Sequence, residues 1–243
     1  MTTLQLGTAR ATATRPLIAV PVMGTTVNEV LGLIEQANET TADVIEWRLD
    51  YLASLAQLTA ADMQTITFNA DKPLILTWRT QEEGGERAFD PALYHFVYSL
   101  GIQAHVAAID IEQRWLPELR QLKNDAQQQG VQVIGSYHNF VNTPVALADV
   151  FTTLATQQVD IIKVAVTPQS PDDVMRLLTT TQQFAAAVQQ PLITMAMGTL
   201  GTKTRVVGHQ YGSQLTFASL SAASAPGQLD LMTLQQQLGE SDD

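Results

Sequence analysis

Lys163 is the residue whose type and setting point most directly to chemistry. It lies within Val159-Asp160-Ile161-Ile162-Lys163-Val164-Ala165-Val166, among β-branched neighbours. A lysine on such a strand cannot easily reach bulk water, and a desolvated ammonium gives up its proton more readily. A free amine in a dry pocket can form a Schiff base with a ketone. The equal alternative is a buried ion pair with a strand-end carboxylate such as Glu46 or Asp110, because lysine is rarely buried unpaired. The other lysines are Lys72, which precedes a proline in a loop, Lys123, expected on a polar helix face, and Lys203. His138 ends the preceding strand-like run, where an imidazole suits proton transfer near neutral pH. A lone strand histidine is also commonly a satisfied core residue. Glu83 could orient His138 and keep its basicity up, or belong with Glu82 to a solvated loop. Net charge is −11, yet Arg48, Arg79 and Arg205 all fall near strand ends. A local positive site in an acidic protein suits a bound carboxylate or phosphate, although any one arginine is ordinarily a surface or ion-pair residue. No metal site is expected. His95, His105, His138 and His209 are scattered, and Asp110-Ile111-Glu112 reads better as a partner for Lys163 or an arginine than as a Mg²⁺ site.

These residues need a frame that brings strand ends together. Short apolar runs at 17–23, 44–49, 74–79, 107–112, 131–138, 161–166, 192–197 and 215–218 read as strands, the last the weakest. Amphipathic stretches separate them, which implies a parallel sheet. The expected fold class is α/β, a (β/α)8 TIM barrel, and 243 residues fit the about 250 typical of that fold. An open doubly wound sheet would want a Gly-rich phosphate turn after the first strand, and 23–26 offers only Gly24. On strand two, period-two alternation puts Glu46, Arg48 and Asp50 on one face and Ile45, Trp47 and Leu49 on the other. The charged face would then look into the barrel mouth. Thr77 and Arg79 on strand three, Asp110 and Glu112 on strand four and Ser136 on strand five follow the same pattern. Met195 and Met197 alternate into the interior, as core or as an apolar wall against a substrate ring. Thr26 to Glu29 has capping-box spacing, Thr143-Pro144 and Ser170-Pro171 read as helix starts, and Gly130 should end a 116–129 helix. The whole of 1–243 is expected to be one catalytic domain. Residues 1–15 would cover the barrel bottom, and 240–243 would form a frayed acidic tail.

Composition narrows the function. Hydrophobic residues at 45% and charged residues at 15% supply a large core and exclude overall disorder. The acidic balance argues against nucleic acid or an anionic membrane as partner. Without cysteine there are no disulfides and no thiolate chemistry. No apolar run approaches 18 residues and no secretory leader is evident, so a cytoplasmic protein is expected.

Taken in order, these segments resemble the type I 3-dehydroquinate dehydratases, the barrel-fold, Schiff-base class of the shikimate pathway. The similarity spans 23–228. It rests on Glu46-Trp47-Arg48-Leu49-Asp50, Thr77-Trp78-Arg79-Thr80 with Glu83-Gly84-Gly85, Ser136-Tyr137-His138-Asn139-Phe140, Lys163-Val164-Ala165-Val166 with Pro168-Gln169, Met195-Ala196-Met197, Arg205, Phe217 and Ser224-Ala225-Pro226-Gly227-Gln228. The resemblance implies a lyase dehydrating 3-dehydroquinate to 3-dehydroshikimate with no metal or organic cofactor. By it, Lys163 would form the imine at C3, and His138 would remove the C2 proton and then protonate the departing C1 hydroxyl. Glu83 would hold His138. Arg205 would pair with the substrate carboxylate, with Gln228 near the same end, and Glu46, Arg48 and Arg79 would grip ring hydroxyls. Met195, Met197 and Phe217 would line the ring. Ser224 and Ala225 would lie on a loop that closes over the ligand and excludes water. The family also suggests a homodimer. Departures are Pro21 and Gly198 where the family often has serine, and Tyr137 and Asn139 around the histidine. Two other readings share some of these residues. A Schiff-base aldolase would keep the strand-six lysine but usually takes a phosphorylated substrate. A non-catalytic carboxylate-binding barrel would keep Arg205 and Gln228 but could lose Lys163 or His138.

Overall fold

The computed structural model describes residues 1–220 and 225–239. An antiparallel hairpin comes first, β1 (Gln5–Leu6) and β2 (Ala9–Arg10). Strands and helices then alternate: β3 (Leu17–Val22), α1 (Val27–Asn38), β4 (Val44–Arg48), α2 (Ala60–Asn69), β5 (Leu74–Thr77), α3 (Pro91–Gln103), β6 (Ala108–Glu112) and α4 (Arg120–Gln128). The second half runs β7 (Gln132–Asn139), α5 (Leu147–Thr156), β8 (Ile161–Val166), α6 (Pro171–Ala187), β9 (Leu192–Ala196), α7 (Gly198–Gly201), α8 (Thr204–Val207), β10 (Leu215–Ser219), β11 (Leu229–Asp230) and α9 (Leu231–Leu238). From β3 to β9 each strand pairs in parallel with the next, and β10 pairs with β3. The ring closes between β9 and β10. There Gln214 N donates to Leu192 O at 2.8 Å, and the Ser213 hydroxyl stands in for backbone, accepting from Thr194 N at 2.9 Å. This is the expected (β/α)8 TIM barrel.

Two apolar layers make the strands legible. Outward residues such as Ile45, Trp47, Leu76, Ile111, Val133, Ile162 and Val164 pack with the helices. Inward residues Val44, Ile75, Ala108, Ile134, Ile161, Ile193 and Leu215 fill the barrel, together with Leu4, Leu6 and Ala11 of the N-terminal segment. Period-two alternation on a strand covered on one face by helices and closed on itself on the other produces this split. The hairpin thus stoppers the bottom, as the cover at 1–15 was expected to do. Gln214 anchors it, accepting from Leu4 N at 2.6 Å and donating to Thr2 O at 2.9 Å.

Local signals fared unevenly. Ser170 caps α6 with Pro171 in the first turn, and Gly130 at φ +78 follows the end of α4. Thr26 caps α1, but the Glu29 carboxylate turns to Thr25 N and Oγ1 rather than closing the box on Thr26. Thr143-Pro144 does not open a helix: Asn139 Oδ1 accepts from Val141 N and Asn142 N, Arg176 takes Thr143 O, and α5 starts only at Leu147. The 116–129 helix begins at Arg120, after a run of turns containing Pro117. Lys123 is not on a solvated face. It is buried, and its ammonium donates to Gln157 O at 2.8 Å across to the end of α5. The expected tail at 240–243 lies outside the described residues. Among the described residues no helix is long and apolar enough to cross a membrane.

Candidate active site

Ile161, Lys163 and Ala165 share the inner face of β8, so the lysine rises from the packed interior toward the C-terminal rim. It is 4% exposed. Its Nζ donates to Glu46 Oε1 at 3.1 Å and to Asp110 Oδ2 at 3.0 Å, and lies 4.7 Å from the centre of the Phe217 ring. The ion-pair reading of Lys163 and the pocket reading are therefore both realised. An ammonium held this way is a resting state, since attack on a carbonyl requires a proton to pass first to a neighbour.

The carboxylates belong to a wider buried network centred on Arg79. Its Nη2 donates to Asp110 Oδ1 at 2.9 Å, and its Nη1 donates to Glu112 Oε1 at 3.1 Å and Ser136 Oγ at 3.0 Å. Glu83 Oε2 lies 3.6 Å from the same nitrogen. Glu112 also accepts from Thr80 N and Thr80 Oγ1. Arg79 can sit here because the ladder is bridged by a side chain beyond Thr77. The Tyr98 hydroxyl accepts from Trp78 N at 2.8 Å and donates to Asp110 O at 2.7 Å. Tyr94 stacks on Tyr98 with ring centres 4.3 Å apart and donates to the same carbonyl. Sequence reasoning placed Arg79 on substrate hydroxyls. The structure shows its guanidinium engaged chiefly by protein carboxylates while still lining the pocket.

His138 ends the β7 interior face. Glu83 Oε2 accepts from His138 N at 2.9 Å and lies 2.9 Å from His138 Nδ1. Because that oxygen already accepts a backbone N–H, Nδ1 is assigned as its second donor, which leaves the Nε2 lone pair free for the pocket. The assignment holds whether or not Glu83 carries a proton on its other oxygen. Burial and the nearby Glu112 push Glu83 up to about 8, against the pull of Arg79. Burial, then Arg79, Lys163 and Arg48, hold the imidazole well below its ordinary value. Glu83 thus orients the ring as expected, but it does not raise its basicity, because burial and three cations outweigh one carboxyl. The result is a neutral imidazole ready to accept a proton.

Arg205, on α8, is buried and has no carboxylate partner among the described residues. Its Nε donates to Gly227 O at 3.0 Å and Nη2 to Pro226 O at 3.4 Å. Burial alone pushes the guanidinium down to about 10. An unpaired buried cation facing a cavity is a receptor for an anion. Arg48, by contrast, is clamped by Asp50 through Nε and Nη2 at 2.8 and 2.7 Å, and its guanidinium lies 5.0 Å from the Tyr51 ring centre.

One cavity, open at the rim, gathers the expected residues. Lys163, His138, Glu83 and Glu46 meet Arg48 and Arg79 on its polar side, with Arg205 and Gln228 at one end. Met195, Met197, Phe217 and Ala225 supply the apolar wall. Ser224 lies outside the described residues. Thr77, which donates to Glu46 Oε1 at 2.9 Å, and Phe140, on the wall beside Gly84, were given no role from sequence. Asp110, Glu112 and Ser136 were visible as inward strand residues, but nothing local named Arg79 as their shared partner. Of the four departures, the two at family serines are placed as follows: Pro21 is buried within β3, and Gly198, at φ +71, donates its N–H to Pro226 O at 3.0 Å.

Comparison with known proteins points the same way. Residues 18–243 match the family model for type I 3-dehydroquinase. The chain is 38% identical over 233 residues to a 3-dehydroquinate dehydratase of Lactiplantibacillus plantarum, with 92% of each chain covered. It is also 38% identical over 232 residues to that of Klebsiella pneumoniae, covering 90% of this chain and 91% of the relative. The crystal structure of 3-dehydroquinate dehydratase from Geobacillus kaustophilus superposes with a TM-score of 0.93 at 28% identity, covering 98% of this chain and 95% of that one. The type I enzyme from Clostridium difficile, with covalently modified comenic acid, gives 0.88 at 28% identity over 98% and 96% of the two chains.

Proposed function

The chain belongs to the type I 3-dehydroquinase family, and from that premise we propose that it dehydrates 3-dehydroquinate to 3-dehydroshikimate through an imine on Lys163, acting as one catalytic domain. The observation that carries the reading is the placement of the Lys163 amine, buried beneath a cavity that also holds a neutral imidazole and an arginine with no carboxylate partner among the described residues. Arg205 would take the substrate carboxylate, and Gln228 would lie at the same end. That fixes the ring so that its C3 ketone meets Lys163 Nζ. The amine adds to the ketone and water leaves, giving a protonated imine. This cation draws electrons from the neighbouring carbon, so the C2 proton becomes acidic enough for His138 Nε2 to remove. The resulting enamine expels the C1 hydroxyl, which His138 protonates so that it departs as water. Hydrolysis of the imine returns the amine and releases the product. The electron sink is the imine itself, so the residues present supply each step without an organic cofactor or a metal.

Glu83 holds the His138 ring in the orientation this proton traffic needs. Glu46 and Arg48 face the ring hydroxyls, and Arg79, which also lines the cavity, contributes mainly by holding Asp110 and Ser136 behind the wall and Glu83 beside His138. Met195, Met197, Phe217 and Ala225 keep the imine dry. On the same family likeness we assign the enzyme to the cytoplasm and to a homodimer, for which sedimentation velocity is the direct check. Borohydride added during turnover should fix the ligand as an added mass on the Lys163 peptide. An absent adduct, together with normal turnover by Lys163→Ala, would defeat the reading.

A further inference from the structure

We propose that the two carboxylates on Lys163 have different duties: Glu46 takes the proton that frees the amine, and Asp110 is a fixed counter-ion that positions it. The proposal rests on the imine reading above and deepens it. Asp110 is fully buried and tied on every side. Its Oδ1 accepts from Ser136 Oγ at 2.5 Å and from Arg79 Nη2 at 2.9 Å, its Oδ2 accepts from Lys163, and its carbonyl is held by two tyrosine hydroxyls. Protonating it would leave the buried Arg79 short of an anion, which is strongly unfavourable. Burial pushes the Asp110 carboxyl up, but Arg79 and Lys163 outweigh it and hold it below the usual range. Glu46 is differently placed. Its Oε1 accepts from Thr77 and Lys163, its Oε2 makes no hydrogen bond among the described residues, and the side chain lines the cavity. A carboxyl with one oxygen on the amine and the other open to the ligand can receive a proton and hand it on. Asp110 does not line the cavity, so it has no route to the substrate.

The protons balance. The Lys163 ammonium carries three. One crosses the 3.1 Å hydrogen bond to Glu46, and the free amine adds to the C3 carbonyl. A second moves from nitrogen to the former carbonyl oxygen as the carbinolamine forms. Glu46 returns the first to that hydroxyl, which leaves as water, and the third stays on the iminium nitrogen. Glu46 ends as it began, a carboxylate. Hydrolysis of the product imine runs the same transfers backwards.

The full-length enzyme tests this by rapid-quench borohydride trapping with 3-dehydroquinate, unlabelled or deuterated at C2, after thermal melts establish that each variant is folded. Glu46→Gln should slow adduct formation on Lys163 by about 100-fold or more, while Asp110→Asn should stay within about tenfold of the parent. In Glu46→Gln the isotope effect from C2 should vanish, because imine formation becomes the slow step. Glu46→Asp, which keeps a carboxyl, should recover part of the rate. Adduct formation at the parental rate in Glu46→Gln, or equal slowing in Glu46→Gln and Asp110→Asn, overturns the division of duties. An enzyme that turns over yet never traps on Lys163 overturns the imine reading itself, a result separate from both.

Discussion

Replacing Arg205 with methionine should move activity and stability in opposite directions. The guanidinium is buried, and no carboxylate pairs with it among the described residues. Its depression to about 10 corresponds to a penalty on the order of 3 kcal/mol against the charged form. Methionine removes that penalty, but it also removes the hydrogen bonds to Gly227 O and Pro226 O, worth about 1 kcal/mol each. The net is a gain of roughly 1 kcal/mol, or a rise in Tm of about 2–4 °C for a chain of this size. For substrate, truncating one member of a buried, hydrogen-bonded charge pair costs about 2–5 kcal/mol, which is roughly 30- to 5,000-fold in kcat/KM. The rise of enone absorbance gives the kinetics, and calorimetry gives Tm. The pH dependence has a definite sign. Above about pH 10 the folded chain releases the Arg205 proton while the unfolded chain keeps it, so this part of the destabilisation persists at all lower pH and lifts as pH rises beyond that point. A variant that loses several kcal/mol of stability yet keeps kcat/KM within a few-fold would refute the argument, and would make Arg205 a brace for the 225–228 loop instead.

Three further outcomes follow from the geometry. Ser213→Ala strands Thr194 N at the barrel seam and should cost about 1–3 kcal/mol in urea unfolding; a loss under half a kcal/mol would mean the seam is held elsewhere. Leu6→Ala empties a fully buried site in the stopper and should cost about 2–5 kcal/mol with little change in kcat at 25 °C, so a large drop in kcat without lost stability would contradict that placement. His138 should stay neutral well below pH 6.5 by NMR titration, and Arg79→Met, which removes the first of the cations depressing it, should raise its apparent pKa. Linkage then makes stability fall as pH drops through about 6.5, where the unfolded imidazole protonates and the folded one does not. A His138 that titrates near 6.5 in the parent would contradict this account of burial and charge.

The sequence made most of the frame visible because strand alternation is a local signal. Glu46 and Arg48 against Ile45 and Trp47, or Lys163 against Ile162 and Val164, declare two faces within a few residues. The barrel rim then follows from the fold, and with it the gathering of Lys163, His138 and Arg205. What was not legible depends on partners far apart in the chain. Arg79 meets Asp110, Glu112 and Ser136 at separations of 31, 33 and 57 residues, and no spacing rule reports such a meeting. The Lys123 ammonium was misplaced for the same reason, since its acceptor lies 34 residues on. Thr143-Pro144 failed differently. The local pattern was sound, but Arg176 claimed the Thr143 carbonyl that a first helical turn would have used.

The stopper at the barrel floor also sets an order of events in time. Thr2 N donates to Gln189 O, and Leu4 N to the side chain of Gln214, some two hundred residues later. During synthesis these early residues leave the ribosome long before β9 and β10 exist. Leu4 and Leu6 must therefore wait, apolar and unhoused, until the last staves arrive. The stopper, made before β9 and β10, is thus among the last segments to find its seat, and the nascent protein stays exposed to sticking until that moment.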